Sequence, residues 1–109
     1  MEAREVRFMW LMVFFDLPVK TKAQRGRASR FRQFLKKDGY FMLQLSVYVR
    51  VCRGQDAVDK HIRRVRTSLP NEGSVRTLQV TDKQYGRMEL MLGTAPKIES
   101  IGPSQMVLL

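Results

Sequence analysis

The sequence predicts an α+β fold in which strands and amphipathic helices follow one another within a single small domain. Three features of the chain support this prediction: a continuous apolar run at 8–15, a helical spacing of apolar residues at 21–38, and a second helical spacing at 55–69. The 109 residues, of which 44% are hydrophobic, suffice for one compact core and exclude an intrinsically disordered chain.

The apolar run from Phe8 to Phe15 predicts a strand at the centre of a sheet, buried on both faces. The run is too short to span a membrane, which takes about 20 apolar residues. Pro18 ends the strand because proline cannot donate to a sheet ladder. The first helix follows, with Thr21 as its N-cap and Gly39 just beyond its end.

Residues 40–53 alternate in a strand pattern and are long enough for two short strands that meet near Gln44. The second helix, 55–69, is followed by Pro70, and residues 74–80 predict a further strand. This order is the ferredoxin-like βαββαβ layout, in which right-handed crossovers put both helices on one face of an antiparallel sheet. The other face carries apolar side chains, and we expect it to be covered by a second subunit in a sheet-to-sheet homodimer.

Beyond residue 80 the pattern predicts one helical turn at 81–84 and an extra strand at 87–92. We therefore divide the chain into a ferredoxin-like domain at 1–92 and a C-terminal extension at 93–109. The extension ends in the apolar run from Met106 to Leu109, which is unusual for a free terminus. We expect this end to dock as a strand on a sheet edge, with the partner subunit as one candidate.

Positive charge is the strongest functional signal in the sequence. Twenty Lys and Arg residues face ten Asp and Glu residues, which gives a formal net charge of +10 and a pI near 10.5. Such an excess repels itself in a folded chain and is typical of proteins that bind a polyanion. Nucleic acid is the favoured partner and an anionic membrane surface the alternative, because arginine outnumbers lysine and suits phosphate recognition.

The first helix and the turn before it carry the densest run of positive charge. Eight basic residues and no acidic residue lie between Leu17 and Lys37. A merely solvated helix face usually mixes both signs, so we predict a surface that follows a phosphate backbone without reading bases. The residues predicted to bind nucleic acid on this helix are Lys22, Arg25, Arg27, Arg30, Arg32, Lys36 and Lys37. Those predicted on the second helix are Arg63, Arg64 and Arg66.

One carboxylate occupies a position suited to chemistry. Asp16 directly follows the central strand, where we expect a partly buried side chain. Mg²⁺ can be held by one or two carboxylates completed by waters and substrate phosphates. A twofold dimer would bring two copies of Asp16 together and meet that need. The alternative is that Asp16 caps the turn at Leu17 and Pro18.

Other candidates are weaker. Ser46 and Tyr48 lie beside the strand junction, within reach of a phosphate. His61, the only histidine, is expected at the surface on the polar side of the second helix. Cys52, the only cysteine, is expected to be a small packed side chain, and it excludes an intramolecular disulfide. Together with the lack of a basic, signal-like start, it favours a reducing cytoplasm.

Three motifs in this order resemble CRISPR-associated protein 2, with most similarity to members from type II systems. They are Phe14-Phe15-Asp16-Leu17-Pro18, Gln44-Leu45-Ser46-Val47-Tyr48, and the run from Val80 to Met88. The resemblance implies a ferredoxin-like homodimer packed sheet to sheet, with C-terminal strands that cross to the partner's sheet. It also implies a prokaryotic, magnesium-dependent endonuclease in which Asp16 holds the metal and Ser46 and Tyr48 belong to the catalytic site.

The resemblance further implies a place at the centre of the spacer-acquisition complex. There the dimer bridges two dimers of CRISPR-associated protein 1, the integrase, and holds the protospacer duplex. We favour this DNA-holding role because the stretch from Leu17 to Lys37 offers eight basic residues while the site offers one acid. An endonuclease that cuts RNA or DNA through paired Asp16 residues is the alternative. A general RNA-binding module ranks last, because it would need exposed aromatic residues on the sheet.

Overall fold

The computed structural model describes residues 7–107, and the order of their helices and strands confirms the predicted α+β fold. Its elements are β1 (Phe8–Asp16), α1 (Lys22–Lys37), β2 (Phe41–Gln44), β3 (Val47–Arg53), α2 (Gln55–Arg66), β4 (Ser74–Thr81), α3 (Asp82–Gly86) and α4 (Pro103–Met106), with a short 3-10 helix at Lys97–Ser100. No helix within residues 7–107 is long and apolar enough to cross a lipid bilayer.

The four strands form one antiparallel sheet in the order β2-β3-β1-β4. β1 pairs with β3 on one side and with β4 on the other, as its continuous apolar sequence predicted. This strand order with two intervening helices is the ferredoxin-like arrangement. The pairing sets Asp16 at the end of β1 opposite Ser74 at the start of β4.

The face of the sheet that carries α1 and α2 holds the main hydrophobic core. Successive side chains of a strand point to opposite faces, so alternate residues of β1 meet the helices. The buried residues of this core from β1, α1 and α2 are Met9, Leu11, Val13, Phe15, Phe31, Leu35, Val58 and Val65. Cys52 is also buried here, as predicted.

The opposite face of the sheet is partly covered by the chain itself, and the expectation that a second subunit packs on it stays a prediction. Trp10 is only 4% exposed, and the ring of Tyr85 from α3 stacks on it. Met106 and Val107 also pack against this second core. Apolar surface left in water costs roughly 25 cal/mol per Å². The C-terminal segment is tethered beside this face and therefore packs on it.

The predicted strand at 87–92 is wrong, because no strand follows β4 in the described residues. A strand needs a neighbouring backbone to accept its hydrogen bonds, and this segment has none beside it in the single chain. The expected terminal strand is likewise absent at 103–106, where Pro103 begins the one-turn helix α4. Leu108 and Leu109 lie outside the described residues.

The helix boundaries follow local chemistry. Thr21 caps α1 as predicted: its hydroxyl accepts from the backbone N–H of Gln24 at 3.1 Å, and the Gln24 side chain accepts from the backbone N–H of Thr21. The second helix ends at Arg66, three residues before the predicted end at Leu69. A second capping box at Thr81 extends the predicted helical turn into α3.

Candidate functional site

A shallow groove of about 320 Å³ lies where β1 ends beside the β2–β3 turn and the start of β4. The backbone N–H of Phe15 donates to the Ser46 carbonyl at 3.0 Å and so holds that turn against β1. The residues that line the groove are Phe14, Phe15, Asp16, Leu45, Ser46, Val47, Ser74 and Arg76. The structure therefore brings Asp16 and Ser46 together, as the sequence predicted.

Two backbone features shape this groove. Ser46 has φ of +62°, a left-handed conformation that a residue other than glycine rarely adopts. Gly73 has φ of +90°, and a Cβ atom at this position would collide with the carbonyl oxygen of Asp16. The turn before β4 thus approaches the end of β1 as closely as it does because residue 73 lacks a side chain.

Asp16 is exposed, which corrects the expectation of a partly buried carboxylate. It is the last residue of β1, and alternation along the strand puts it, like Phe14, on the face away from α1 and α2. Within the described residues its carboxylate makes no hydrogen bond or ion pair, so the alternative that it caps the following turn is not supported. The carboxylate is therefore free to meet a ligand.

The groove offers a partial ligand set for Mg²⁺. No group of three or more His, Cys, Asp or Glu residues able to hold a metal ion occurs in the described part of the chain. One chain supplies the Asp16 carboxylate, with the hydroxyls of Ser46 and Ser74 in the same groove. Mg²⁺ is commonly held by one or two carboxylates with waters and substrate phosphates. A magnesium site here would need a substrate phosphate or a second Asp16 to complete the ligand set.

Tyr48 does not reach this groove, which corrects its assignment to the site. The side chain is only 1% exposed and packs against Phe15 on the helix side of the sheet, with ring centroids 5.6 Å apart. Alternation along β3 explains the outcome, because Val47 and Val49 take the opposite face and leave Tyr48 in the main core.

Arg76 is a groove residue that the sequence reasoning missed. It lies opposite Phe14 in the pairing of β1 with β4, is exposed, and makes no hydrogen bond or ion pair within the described residues. Its guanidinium suits a phosphate oxygen. Arg76 lies in the groove because β4 pairs with the end of β1. The sequence alone does not give the register of that pairing.

The basic residues of α1 and α2 lie on one side of the sheet, because both helices pack on the same core. Three of them are engaged locally. Arg27 pairs with Glu72 at 3.0 Å, Arg64 pairs with Asp38 at 2.7 Å, and Arg25 donates to two backbone carbonyls. The remaining predicted residues make no side-chain hydrogen bond or ion pair among residues 7–107: Lys22, Arg30, Arg32, Lys36, Lys37, Arg63 and Arg66. They are available to phosphates.

His61 is buried, which corrects its predicted place at the surface. It is 4% exposed, and its Nδ1 lies 2.7 Å from Oδ2 of Asp38, the residue that ends α1. Arg64 donates to the other oxygen of Asp38, and Arg50 donates to its carbonyl. Burial lowers the pKa of His61, and Asp38 opposes that shift in part. This cluster ties the end of α1 to α2 and holds the two basic helices together.

Comparison with known proteins gives consistent matches. The family model described as CRISPR associated protein Cas2 matches residues 9–88. The chain is 45% identical over 101 residues to a protein from Flavobacterium psychrophilum named CRISPR-associated endoribonuclease Cas2, covering 93% of this chain and 87% of that one. A protein of the same name from Acidovorax ebreus is 53% identical over 85 residues, covering 78% and 83%.

A solved structure described as a crystal structure of cas2 has the same fold. It matches with a TM-score of 0.56 and 20% sequence identity, and covers 83% of this chain and 91% of that one. At this identity the likeness concerns the fold alone. It agrees with the ferredoxin-like order of strands and helices described above.

Proposed function

The chain belongs to the CRISPR associated protein Cas2 family, and from that premise we propose that it is a nucleic-acid-holding protein of CRISPR adaptation in the prokaryotic cytoplasm. In this role a homodimer holds a protospacer DNA duplex and bridges two dimers of the integrase, CRISPR-associated protein 1. The observation that carries the proposal is the set of unpaired basic side chains that α1 and α2 present on one side of the sheet.

The electrostatics of this side suit a duplex backbone. Each phosphate that a Lys or Arg neutralises releases counterions, and the logarithm of the binding constant falls with the logarithm of salt concentration by about 0.9 per contact. The unpaired residues of α1 and α2 can supply several such contacts. Contacts of this kind position a duplex without reading its sequence, as a protein that handles diverse spacers requires.

The dimer is supported by apolar side chains that the single chain leaves in water. Met91 and Leu92 are 89% and 93% exposed, and they follow β4 in a segment with no strand partner. Two neighbouring apolar side chains at this level of exposure favour burial against a second copy. A twofold arrangement would also give the assembly two basic sides.

A metal-dependent endonuclease, cutting RNA or DNA, is the second candidate, favoured by the exposed Asp16 beside Arg76 and by the endoribonuclease names of the relatives. In this case Asp16 holds the metal and Ser46 lies beside it. Bound Mg²⁺ supplies an activated water and stabilises charge on the phosphate. Arg76 would orient the phosphodiester at the groove.

One experiment separates the two candidates. Duplex binding and cleavage of RNA and DNA are measured with and without Mg²⁺ for the wild type and for Asp16→Ala. The holding role predicts equal duplex binding in both proteins and no cleavage that depends on Asp16. Metal-dependent cleavage that Asp16→Ala abolishes would establish the endonuclease. Loss of duplex binding in a folded Asp16→Ala protein would contradict the holding role.

A further inference from the structure

A groove of about 410 Å³ lies between α1 and the segment that joins α2 to β4. Arg27, Arg30, Phe31 and Phe34 of α1 line one wall, and residues 68–71 line the other. We call it the Arg/Phe groove. None of its lining residues belongs to a strand, and it shares none with the groove at Asp16. A subunit packed sheet to sheet would therefore leave it open to solvent.

The α1 wall combines arginine with phenylalanine. Its four residues are spaced at i, i+3, i+4 and i+7, so they share one face of the helix. Phe31 is 2% exposed and belongs to the main core, whereas Phe34 packs against that core and is only partly buried. The two rings stack with centroids 6.3 Å apart. Phe31 thus fixes the ring of Phe34, part of which still reaches solvent.

The opposite wall is tied to α1 through Glu72. Its Oε1 accepts from Arg27 at 3.0 Å, and its Oε2 accepts from the side chain of Gln24 at 3.0 Å. The Leu69 side chain in this wall is nevertheless 48% exposed. The groove is therefore preformed, and its apolar walls stay in contact with water, at a cost in free energy, until an occupant covers them.

Arg30 gives the groove an unpaired positive charge. Arg27 is neutralised by Glu72, whereas Arg30 is exposed and makes no hydrogen bond or ion pair within residues 7–107. No Asp or Glu lines the groove. Lys37, exposed and equally without an ion pair in this part of the chain, lies seven residues further along the same face of α1. The groove therefore suits an occupant that is both anionic and apolar.

A nucleotide with an unpaired base has both properties. The open face of such a base stacks on aromatic rings, while the phosphate pairs with arginine. A duplex has its bases stacked inside and would leave the apolar walls of the groove in water. An acidic, aromatic protein segment shares the required chemistry. We favour the nucleotide because the groove is continuous with the unpaired basic residues of α1, which suit a phosphate backbone.

We propose that the Arg/Phe groove binds an unpaired nucleotide of a single-stranded nucleic acid, with the base against Phe34 and Leu69 and a phosphate at Arg30. The inference rests on the proposed function, because the basic residues of α1 must first hold the strand. It adds a preference that the duplex-holding role lacks: exposed bases, and not phosphates alone, contribute to affinity.

The test measures binding to the full chain by fluorescence anisotropy, with three labelled probes at one salt concentration. They are a blunt duplex, a short single strand of thymidine nucleotides, and a strand of the same length made of abasic sites. The two strands carry the same phosphates, so the difference between them isolates the bases. We expect the thymidine strand to bind about tenfold more tightly than the abasic strand, since one base stacked on an aromatic ring contributes about that much.

Leu69→Ser is the test variant and Val19→Ser the matched control. Leu69 and Val19 are 48% and 49% exposed, neither substitution changes the net charge, and Val19 lies before α1, outside the groove. We expect Leu69→Ser to reduce the preference for thymidine to about twofold or less and Val19→Ser to leave it near tenfold. Phe34→Leu, which keeps an apolar side chain but removes the ring, is expected to lose the preference while blunt-duplex binding is retained.

The groove assignment and the duplex-holding role fail in different ways. Duplex binding with equal affinity for the two strands would overturn the groove assignment alone, because phosphates would then account for all strand binding. A thymidine preference that Leu69→Ser and Val19→Ser reduce equally would overturn it as well, because the base would then lie elsewhere. A thymidine preference lost only in Leu69→Ser, without duplex binding, would support the groove and contradict the holding role. The absence of binding to every probe would overturn both.

Discussion

Gly73 sets the distance between the turn before β4 and the end of β1. We predict that Gly73→Ala destabilises the protein by more than the roughly 1–2 kcal/mol typical of a non-glycine residue in the left-handed region. The added cost arises because the new Cβ would collide with the backbone oxygen of Asp16, which cannot move as a flexible side chain would. Urea unfolding measures the difference in the free energy of unfolding.

Gly93→Ala is the matched control for this prediction. Gly93 also has a positive φ, of +111°, but a Cβ there would meet only a Leu90 methyl at an ordinary 3.8 Å. The loss of unfolding free energy in Gly93→Ala therefore measures backbone strain without a steric collision. Equal losses of unfolding free energy in the two variants would mean that the collision with the Asp16 carbonyl oxygen adds no cost.

His61 makes stability depend on pH. Burial lowers its folded-state pKa below the ordinary value of 6.5, against the opposing effect of Asp38, and Arg50 and Arg64 face the same cluster. The unfolded state therefore takes up the proton first as pH falls, so the stabilising contribution is present above pH 6.5 and is lost as pH drops through and below that value. We predict that His61→Gln flattens the change in unfolding free energy between pH 7.5 and pH 5.5. An unchanged slope would show that His61 does not titrate differently in the two states.

The side chains show what the sequence could and could not specify. Apolar periodicity in α2 already places His61 on the buried arc, three residues after Val58 and four before Val65, so its burial was predictable. Tyr48 was assigned to the site but lies in the main core, because a motif near a site does not say which way each residue points. The unsatisfied hydroxyl of Tyr40, whose pKa burial raises above its usual value, had no sequence signal at all.

The helices α1 and α2 act as one surface if both contact the same duplex. We predict that Arg30→Glu with Lys37→Glu weakens duplex binding and reduces its salt dependence by about two contacts. Both side chains are exposed and make no ion pair within residues 7–107, so reversing their charges removes phosphate contacts without breaking internal ion pairs. Binding constants measured over a series of salt concentrations give the slope.

Lys83→Glu with Arg87→Glu changes the net charge equally and serves as the control for the helix surface. These residues belong to α3 and its C-cap, and α3 packs on the opposite face of the sheet through Tyr85. Their reversal is expected to leave the salt slope unchanged. A similar reduction of the salt dependence in both double variants would mean that the overall charge of the chain, and not the helix surface, determines duplex binding.

The elements themselves were mostly readable from the sequence. The apolar run of β1, the capping residue Thr21 and the helical spacing in α2 each depend on local chemistry, and each was confirmed. The segment after β4 was misassigned because alternation at 87–92 predicts a strand only where a partner strand exists. Its actual course depends on the stacking of Tyr85 on Trp10 and on the Tyr85–Glu99 hydrogen bond, which joins residues that sequence patterns do not connect.

The molecule as a whole divides its surfaces by charge. α1 and α2 present basic residues on one side of the sheet, while Asp82, Glu89 and Glu99 line a cavity on the other. We therefore expect a polyanion to approach the chain from the side of α1 and α2. The exposed Met91 and Leu92 do not line that cavity, and they leave a third surface for a second copy.

Dimerisation through that third surface is the prediction that concerns the whole assembly. We predict that Met91→Glu with Leu92→Glu converts a dimer into a monomer in sedimentation experiments, because burying each apolar side chain contributes about 1.5–3 kcal/mol. Val19→Glu with Leu69→Glu is the control, since these apolar residues are also exposed, at 49% and 48%, but lie elsewhere. A control variant that dissociates equally would attribute the effect to added negative charge. A Met91→Glu, Leu92→Glu protein that stays dimeric would place the twofold contact outside this segment. The exposed face of the sheet near Asp16 would then be the next surface to test.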